Sequence, residues 1–489
     1  MTTTGEDSNT NRRMRAVLSL VLGSLLLAPA LFGQRPGVAP ARLSKLNVVA
    51  LDAQGQPVTG LRSADFQVFE DGKPRDIAFF RFTGDRALLS KPGPHEYSNR
   101  TAAVQPVTAI LIDLLNGSIM NASILSGEVA DALKNLESSE GLYLYILTPR
   151  GELYPIHPLP KAGAGVAPAG DPWTRDIAPA LQGALKDLVH LQPVDNREIK
   201  VVFELTVNAL RDLGSQLGQI SGRKNLVWLT RGIPITGYSI AAQSRLDFTK
   251  PLRGLGQELE QARIVVYAVE QSTAGAPIAP ERAEAFEALT GITGGRESSS
   301  DRAGAAIQQA IADSRANYEI AYYSAPLNAD GKYHKVRVTC ANKDARLQTK
   351  LGFYAVATAA PGNPAETAAG SPFDATEIRL RASISPDPVN AKNMRFEIHF
   401  DPADLLPRPA PDRDSRSVYV MFAAYDEAQK QPSRPMVDSL TPEEFEAATH
   451  SEAGLRYAVP IEQAIRKVRV IVYDAELGAA GSVSIPIQR

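Results

Sequence analysis

Four stretches are apolar without alternation: "VTAILID" from Val107, "LYLYILT" from Leu142, "NLVWLT" from Asn225 and "RIVVYAV" from Arg263. A strand with one wet face alternates, so such runs belong to strands covered on both faces, as in a largely parallel sheet flanked by helices. Helical stripes lie between them. Ile199, Val202, Leu205, Ala209, Leu210, Leu213 and Leu217 recur at steps of three and four, and Gly222 stands where a helix would stop. Ile124, Val129, Leu133 and Leu136 make a shorter stripe, and Ala306, Ile307, Ala310 and Ile311 another. The alternation predicts an α/β fold over residues 105–325, a doubly wound, mostly parallel sheet.

The flanks read differently. Residues 43–83 hold short strands around the Glu70-Asp71-Gly72 turn and predict a small β unit, which packs with residues 317–356 if the two form one module. Residues 326–356 read as a hairpin and a strand, 357–372 as an Ala/Pro/Gly/Thr-rich linker, and 375–489 as a β-sandwich-like domain of alternating strands. Residues 84–104 are polar and suit a second linker. "KAGAGVAPAGDPW", Lys161 to Trp173, reads as a surface insertion in which Trp173 either packs or anchors a partner, whereas Trp228 belongs to an apolar run and to the core.

The N-terminus carries "NRRMR" and then the apolar Ala16 to Phe32, the pattern of a secretory signal over residues 1–34. Export to the periplasm, cell surface or exterior is the expectation, with membrane attachment only if the segment is uncleaved. The formal charge of −2 gives no reason to expect nucleic acid as a partner. One cysteine, Cys340, and six histidines without an HExxH spacing offer little to zinc or hydrolytic metal chemistry.

The blocks "VVALDAQGQPVTGLRSADFQVFEDGKPRDIAFF", "AILIDLLN", "GRKNLVWLTRGIP" and "IQQAIADSRANYEIAYYSAPLNADGKYHKVRV" follow one another over Leu43 to Tyr354. Their order resembles the acidobacterial VWFA-related domain family, exported proteins built around a von Willebrand factor A (vWA) type domain. The resemblance implies binding rather than catalysis, at the carboxyl ends of the strands and often through a divalent cation. The family's metal-ion-dependent adhesion site reads Asp-x-Ser-x-Ser. Asp113 matches its aspartate, while Leu115 and Gly117 stand at the serine positions and Arg231 at a later aspartate.

A degenerate, metal-free site follows from that comparison. Asn116 and Ser118 are left to offer substitute oxygens, and Arg231 either replaces the ion beside Asp113 or points to solvent while Asp113 bonds the amides of its turn. No cofactor is expected; an ion, if bound, would be Mg²⁺ or Mn²⁺. The leading expectation is an exported, non-enzymatic adhesion or scaffold protein that contacts an envelope or extracellular protein through Asp113, Asn116, Ser118 and Arg231. The alternatives are a cation-dependent adhesion receptor with a noncanonical metal site and, more remotely, an exported hydrolase.

Overall fold

The computed structural model describes residues 42–84, 93–100, 107–117, 119–134, 141–160, 173–188, 190–191, 194, 199–239, 243–271, 280–298, 303–325, 331–355, 363–390, 392–407, 418–426, 433–450 and 454–487. The expected signal segment and most of the Lys161 to Trp173 insertion lie outside them. Among the described residues no helix is long and apolar enough to cross a membrane.

The chain opens with β1 (Leu43–Leu51), β2 (Phe66–Glu70), β3 (Lys73–Arg75), β4 (Ile77–Phe82) and β5 (Glu96–Ser98). The central part follows as β6 (Thr108–Asp113), α1 (Ile119–Lys134), β7 (Leu142–Leu147), β8 (Leu153–His157), α2 (Ile177–Leu188), α3 (Ile199–Gly218) and β9 (Lys224–Thr230). It continues through β10 (Thr236–Ser239), β11 (Ser244–Asp247), α4 (Thr249–Gln261), β12 (Ile264–Glu270), α5 (Pro280–Thr293), β13 (Arg296–Ser298) and α6 (Ala303–Arg315). Then come β14 (Asn317–Tyr323), β15 (Tyr333–Cys340), β16 (Arg346–Gln348), β17 (Gly352–Tyr354) and α7 (Pro364–Gly370). The last stretch holds β18 (Leu380–Pro386), β19 (Asn393–Phe400), β20 (Val418–Tyr425), β21 (Ser433–Ser439), α8 (Pro442–His450), β22 (Leu455–Pro460), β23 (Lys467–Asp474) and β24 (Ala479–Pro486).

One sheet runs β13-β12-β9-β6-β7-β8. Period two sends alternate side chains of a strand to opposite faces. Ala109 and Leu111 of β6 join a core with Phe203 and Leu210 of α3 and Leu255 of α4, while Ile110 and Ile112 join another with Val129 of α1, Leu181 of α2 and Ile307 of α6. This explains the unalternating runs: both faces are covered.

The expectation of an α/β fold, a doubly wound, mostly parallel sheet over residues 105–325 flanked by an N-terminal β unit and a C-terminal β-sandwich-like domain, is corrected by the structure. The described chain is mostly β, in six sheets, and parallel pairing is confined to this one sheet, whose edge strand β8 is itself antiparallel. The other sheets, β16-β1-β14-β4, β17-β15-β2-β3, β22-β19-β18-β5, β21-β20-β23-β24 and the ribbon β10-β11, are antiparallel. The apolar runs mark only strands buried on both faces; strands with one wet face outnumber them and carry the weaker, alternating signal.

Strand β1 pairs with β14, Leu43 opposite Tyr323, so the first strand closes a sheet with residues from far along the chain. The β2–β3 turn places Asp71 at φ 50° and Gly72 at φ 79°, two left-handed residues in succession, as a tight hairpin needs. The two four-stranded sheets of the C-terminal part share a core of Phe396, Ile398, Phe422, Val470 and Val483 among others.

Both stretches read as linkers contribute structure. Strand β5 pairs with β18, and the neighbouring Asn99 donates from Nδ2 to the carbonyls of Ala375 and Ile378, each at 2.8 Å, and accepts from Leu380 N at 3.0 Å. Helix α7 begins at an Asn363 cap followed by proline, and buries Ala365, Ala368 and Ala369. Arg469, 4% exposed, pins that helix: its Nη1 donates to the carbonyls of Ala368 at 2.6 Å and Ser371 at 2.7 Å, and its Nε lies 3.3 Å from Asp374.

An ionic cluster joins these layers. Glu319 of β14 accepts from Arg81 of β4 and, at 3.0 Å, from Arg263, which follows α4. Lys45 of β1 lies 3.6 Å from Glu319. Arg263 also reaches Glu377, and Arg81 reaches Asp404 at 3.5 Å. Burial alone would raise Glu319, but Arg81, Lys45 and Arg263 outweigh it and hold the carboxyl far below its usual range. Burial, then Arg263, brings Lys45 down to about 8.

Candidate functional site

Asp113 ends β6 at the carboxyl end of the six-stranded sheet and is fully buried. Its oxygens take four donors. Oδ1 accepts from Asn116 N at 2.9 Å; Oδ2 accepts from Asn116 Nδ2 at 2.9 Å, Trp228 Nε1 at 3.1 Å and Thr230 Oγ1 at 2.6 Å. Burial raises the carboxyl above its ordinary value, and the bonds from Thr230, Asn116 and Trp228 oppose that rise without cancelling it.

The network extends outward. Asn116 Nδ2 also donates to Thr206 Oγ1 of α3 at 2.9 Å, and Thr206 Oγ1 donates to the carbonyl of Val202 at 2.8 Å. Thr230 Oγ1 accepts from Gly232 N at 3.0 Å, which fixes the turn after β9. Asp113 therefore holds two turns, after β6 and after β9, against one helix.

Leu115 and Gly117 have structural work of their own. Leu115 is 5% exposed and packs in the core, and a Cβ on Gly117 would meet the carbonyl oxygen of Asp113 at 2.6 Å, so only glycine fits there. With both Asp113 oxygens occupied by N–H and O–H donors and no oxygen ligand at these two positions, the residues do not fit Mg²⁺ or Mn²⁺. Among the described residues no group of three His, Cys, Asp or Glu side chains is arranged around a common point for a metal.

Arg231 directly follows β9 and is half-buried. It is not among the donors to Asp113; the turn amide of Asn116 takes that role instead. Arg282 of α5 donates to the carbonyls of Arg231, at 3.3 Å, and Gly232. Burial, then the charge of Arg231, lowers the Arg282 pKa, while Asp113 opposes the change. Ser118 lies outside the described residues.

Sequence reasoning missed Thr206, Thr230, Arg282 and Tyr238. Thr230 was findable as the polar residue closing an apolar strand; the others come from distant segments. Tyr238, on the β10–β11 ribbon that leaves the end of β9, is 55% exposed. Trp173 is not a free anchor: its ring stacks on His157 with centroids 4.2 Å apart, and it packs against the helical core. Trp228 is fully buried.

No family model matches the chain, and no curated protein matches it. Solved structures that match include a variant of the PilB minor pilin from Streptococcus sanguinis, at 11% identity over 57% of this chain and 92% of that one, with a TM-score of 0.30. Pilus adhesin SpaC from Lactobacillus rhamnosus GG matches in two forms, at 11% and 10% identity over 89% and 90% of this chain, both with a TM-score of 0.28. The chain spans 58% of the length of SpaC. Likeness at these scores assigns neither fold nor function. The VWFA-related membership expected from the sequence is withdrawn, since no family model carries it.

Proposed function

We propose that the protein is an exported, non-enzymatic adhesion or scaffold protein of the cell envelope or exterior, and that it meets a partner protein at the carboxyl end of its six-stranded sheet. One observation carries the reading: a buried Asp113 accepts four hydrogen bonds and thereby holds rigid the two turns that present Asn116 and Arg231. Asp113 itself, fully buried, positions the surface and touches no partner. Preorganised turns lose little freedom on binding, which favours affinity. Tyr238, exposed on the β10–β11 ribbon that follows β9, is added to this surface, since tyrosine and arginine are the side chains interfaces favour.

Beads carrying the full chain, mixed with a solubilised envelope fraction, test the surface. Arg231→Glu and Tyr238→Ala are expected to lose the bound species, whereas Val389→Ser, changing a side chain 82% exposed beside the C-terminal sheets, retains it. Equal capture by all four proteins rejects this face.

A further inference from the structure

A crevice of about 50 Å³ opens where strand β1, the end of α4, the start of β12 and the residue two beyond β16 come together. Strands β6, β9 and β12 run parallel, so this is the opposite end of the six-stranded sheet from Asp113. Lys45, Asn47, Glu260, Arg263, Glu319 and Lys350 line the crevice.

Donors outnumber acceptors there. Glu319 spends one oxygen on Arg263, at 3.0 Å, and the other on Arg81. Glu260 Oε1 accepts from Lys350 Nζ at 2.6 Å, which leaves that ammonium two of its three N–H groups. Lys45 Nζ donates to Gly478 O at 3.3 Å and lies 3.6 Å from Glu319, beyond hydrogen-bond length, so it also keeps donors in hand. Asn47 Oδ1 accepts from Asn317 Nδ2 at 3.0 Å, while its own Nδ2 donates to nothing and is not sealed from water. Two ammoniums and an amide therefore turn unspent N–H groups toward one small space, the surroundings that suit an anion.

The charges limit what that anion is. The ion-paired network around the crevice balances by itself: Lys45, Arg81, Arg263, Lys350 and Arg379 face Glu260, Glu319, Glu377, Asp401 and Asp404. Lys224, buried beside Arg263 and Glu377, is a sixth cation whose Nζ bonds only the carbonyl of Ile220. With Lys224 protonated, one positive charge is unmatched. Burial and then Arg263 bring Lys45 down to about 8 and Lys224 to about 7, the response of ammoniums held near surplus positive charge. One negative charge completes the balance, and a second would be repelled by Glu260 and Glu319. The volume has room for a halide ion and about two waters.

We infer that the crevice binds one monovalent inorganic anion of halide type, held by the side chains of Lys45, Asn47 and Lys350. The ion ties β1 to the segment after β16 beside the end of α4, and so joins the N-terminal β sheets to the six-stranded sheet at a point where Asp113 does not act.

Chloride NMR on the full chain tests this, through the broadening of the chloride line by bound ion. The broadening is expected to saturate, and bromide to abolish it where sulfate at equal ionic strength does not. Asn47→Asp keeps an acceptor for Asn317 and sets a carboxylate against the ion, so it should remove the broadening. Lys350→Gln should weaken chloride about tenfold, the worth of one charge-assisted hydrogen bond. Lys200→Gln, which changes an exposed lysine of α3, should leave the affinity as it is. Lys45, facing Arg263, Glu319, Glu377 and Arg81, attracts the anion while protonated, so affinity should fall at least tenfold from about pH 6 to about pH 10. No broadening by the parent, broadening that survives in both Asn47→Asp and Lys350→Gln, an equal affinity at the two pH values, or displacement by sulfate as effective as by bromide overturns the inference. A loss in Lys200→Gln as large as in Lys350→Gln does so too, since it would mean general attraction to surface lysines.

Discussion

The indole N–H of Trp228 donates to Asp113 Oδ2 at 3.1 Å, between two side chains that are both fully buried. The bond ties two neighbouring strands, β6 and β9, through their side chains as well as through their backbones. Asp113→Ala would leave the Trp228 and Thr230 donors without an acceptor, at a cost of about 2–4 kcal/mol in total. Asp113→Asn keeps one acceptor but sets an amide among donors, so it should rescue stability only in part. Urea unfolding followed by tryptophan fluorescence measures both; an unchanged midpoint in Asp113→Ala would remove the network as a source of stability.

Glu319 is the shared acceptor of Arg81, directly opposite it on the neighbouring edge strand β4 of the same sheet, and of Arg263, just beyond the end of α4. Glu319→Gln leaves those part-buried guanidiniums short of a counter-charge, a loss of about 2–4 kcal/mol, below the full cost of breaking a wholly buried pair. Because the cluster also reaches Glu377 and Asp404 of the C-terminal part, calorimetry of this variant should show a single unfolding peak dividing into two. A peak that shifts without dividing would limit the cluster to local stability.

Lys224 is 2% exposed at the start of β9, and its Nζ donates to the carbonyl of Ile220 at 2.8 Å. Burial, then the charge of Arg263, lowers its pKa to about 7 from an ordinary 10.5. Between those values the unfolded chain holds a proton that the folded chain has released, so the stability contributed here rises with pH across that window, and the penalty is complete below it. Lys224→Met should therefore gain a few kcal/mol relative to the parent at about pH 6 and lose that advantage by about pH 10. Denaturant titrations at the two pH values decide it; a difference independent of pH would mean that the lysine stays charged in the fold.

Arg469 supplies two strong bonds to the carbonyls at the end of α7. Arg469→Met keeps the bulk and removes the donors, and the short helix, only seven residues long, has little intrinsic stability to replace them. Limited proteolysis should then cut within residues 363–371 faster than in the parent. Unchanged cleavage would credit the buried alanines with holding the helix.

The legible part of this fold is the part with strong periodicity. Apolar runs located β6, β7, β9 and β12, and the stripe from Ile199 to Leu217 located α3, because burial on two faces or on one stripe leaves a pattern in a single window. Strand β5 and helix α7 escaped: a strand of three residues and a helix of small alanines owe their form to the surfaces they meet. The candidate site divides in the same way. Asp113 and the turn after it stood out as an acid closing a strand, but its partners Thr206, Trp228 and Thr230 are brought in from later elements. The expected class gave too much weight to the mostly parallel sheet of residues 105–325, because its four conspicuous strands stand among many less conspicuous ones, and the described chain is mostly β, in six sheets.

The pairing of β1 with β14 sets a timetable for the growing chain. Leu43–Leu51, with four consecutive buried residues at its end, meets no partner strand until Tyr323 has been synthesised, because its other neighbour, β16, comes later still. During that interval it is an apolar strand with two open edges, the kind of segment that aggregates or is shielded by a chaperone. The central helices and strands are free to form meanwhile, so β1, made before them, is among the last strands to reach its place.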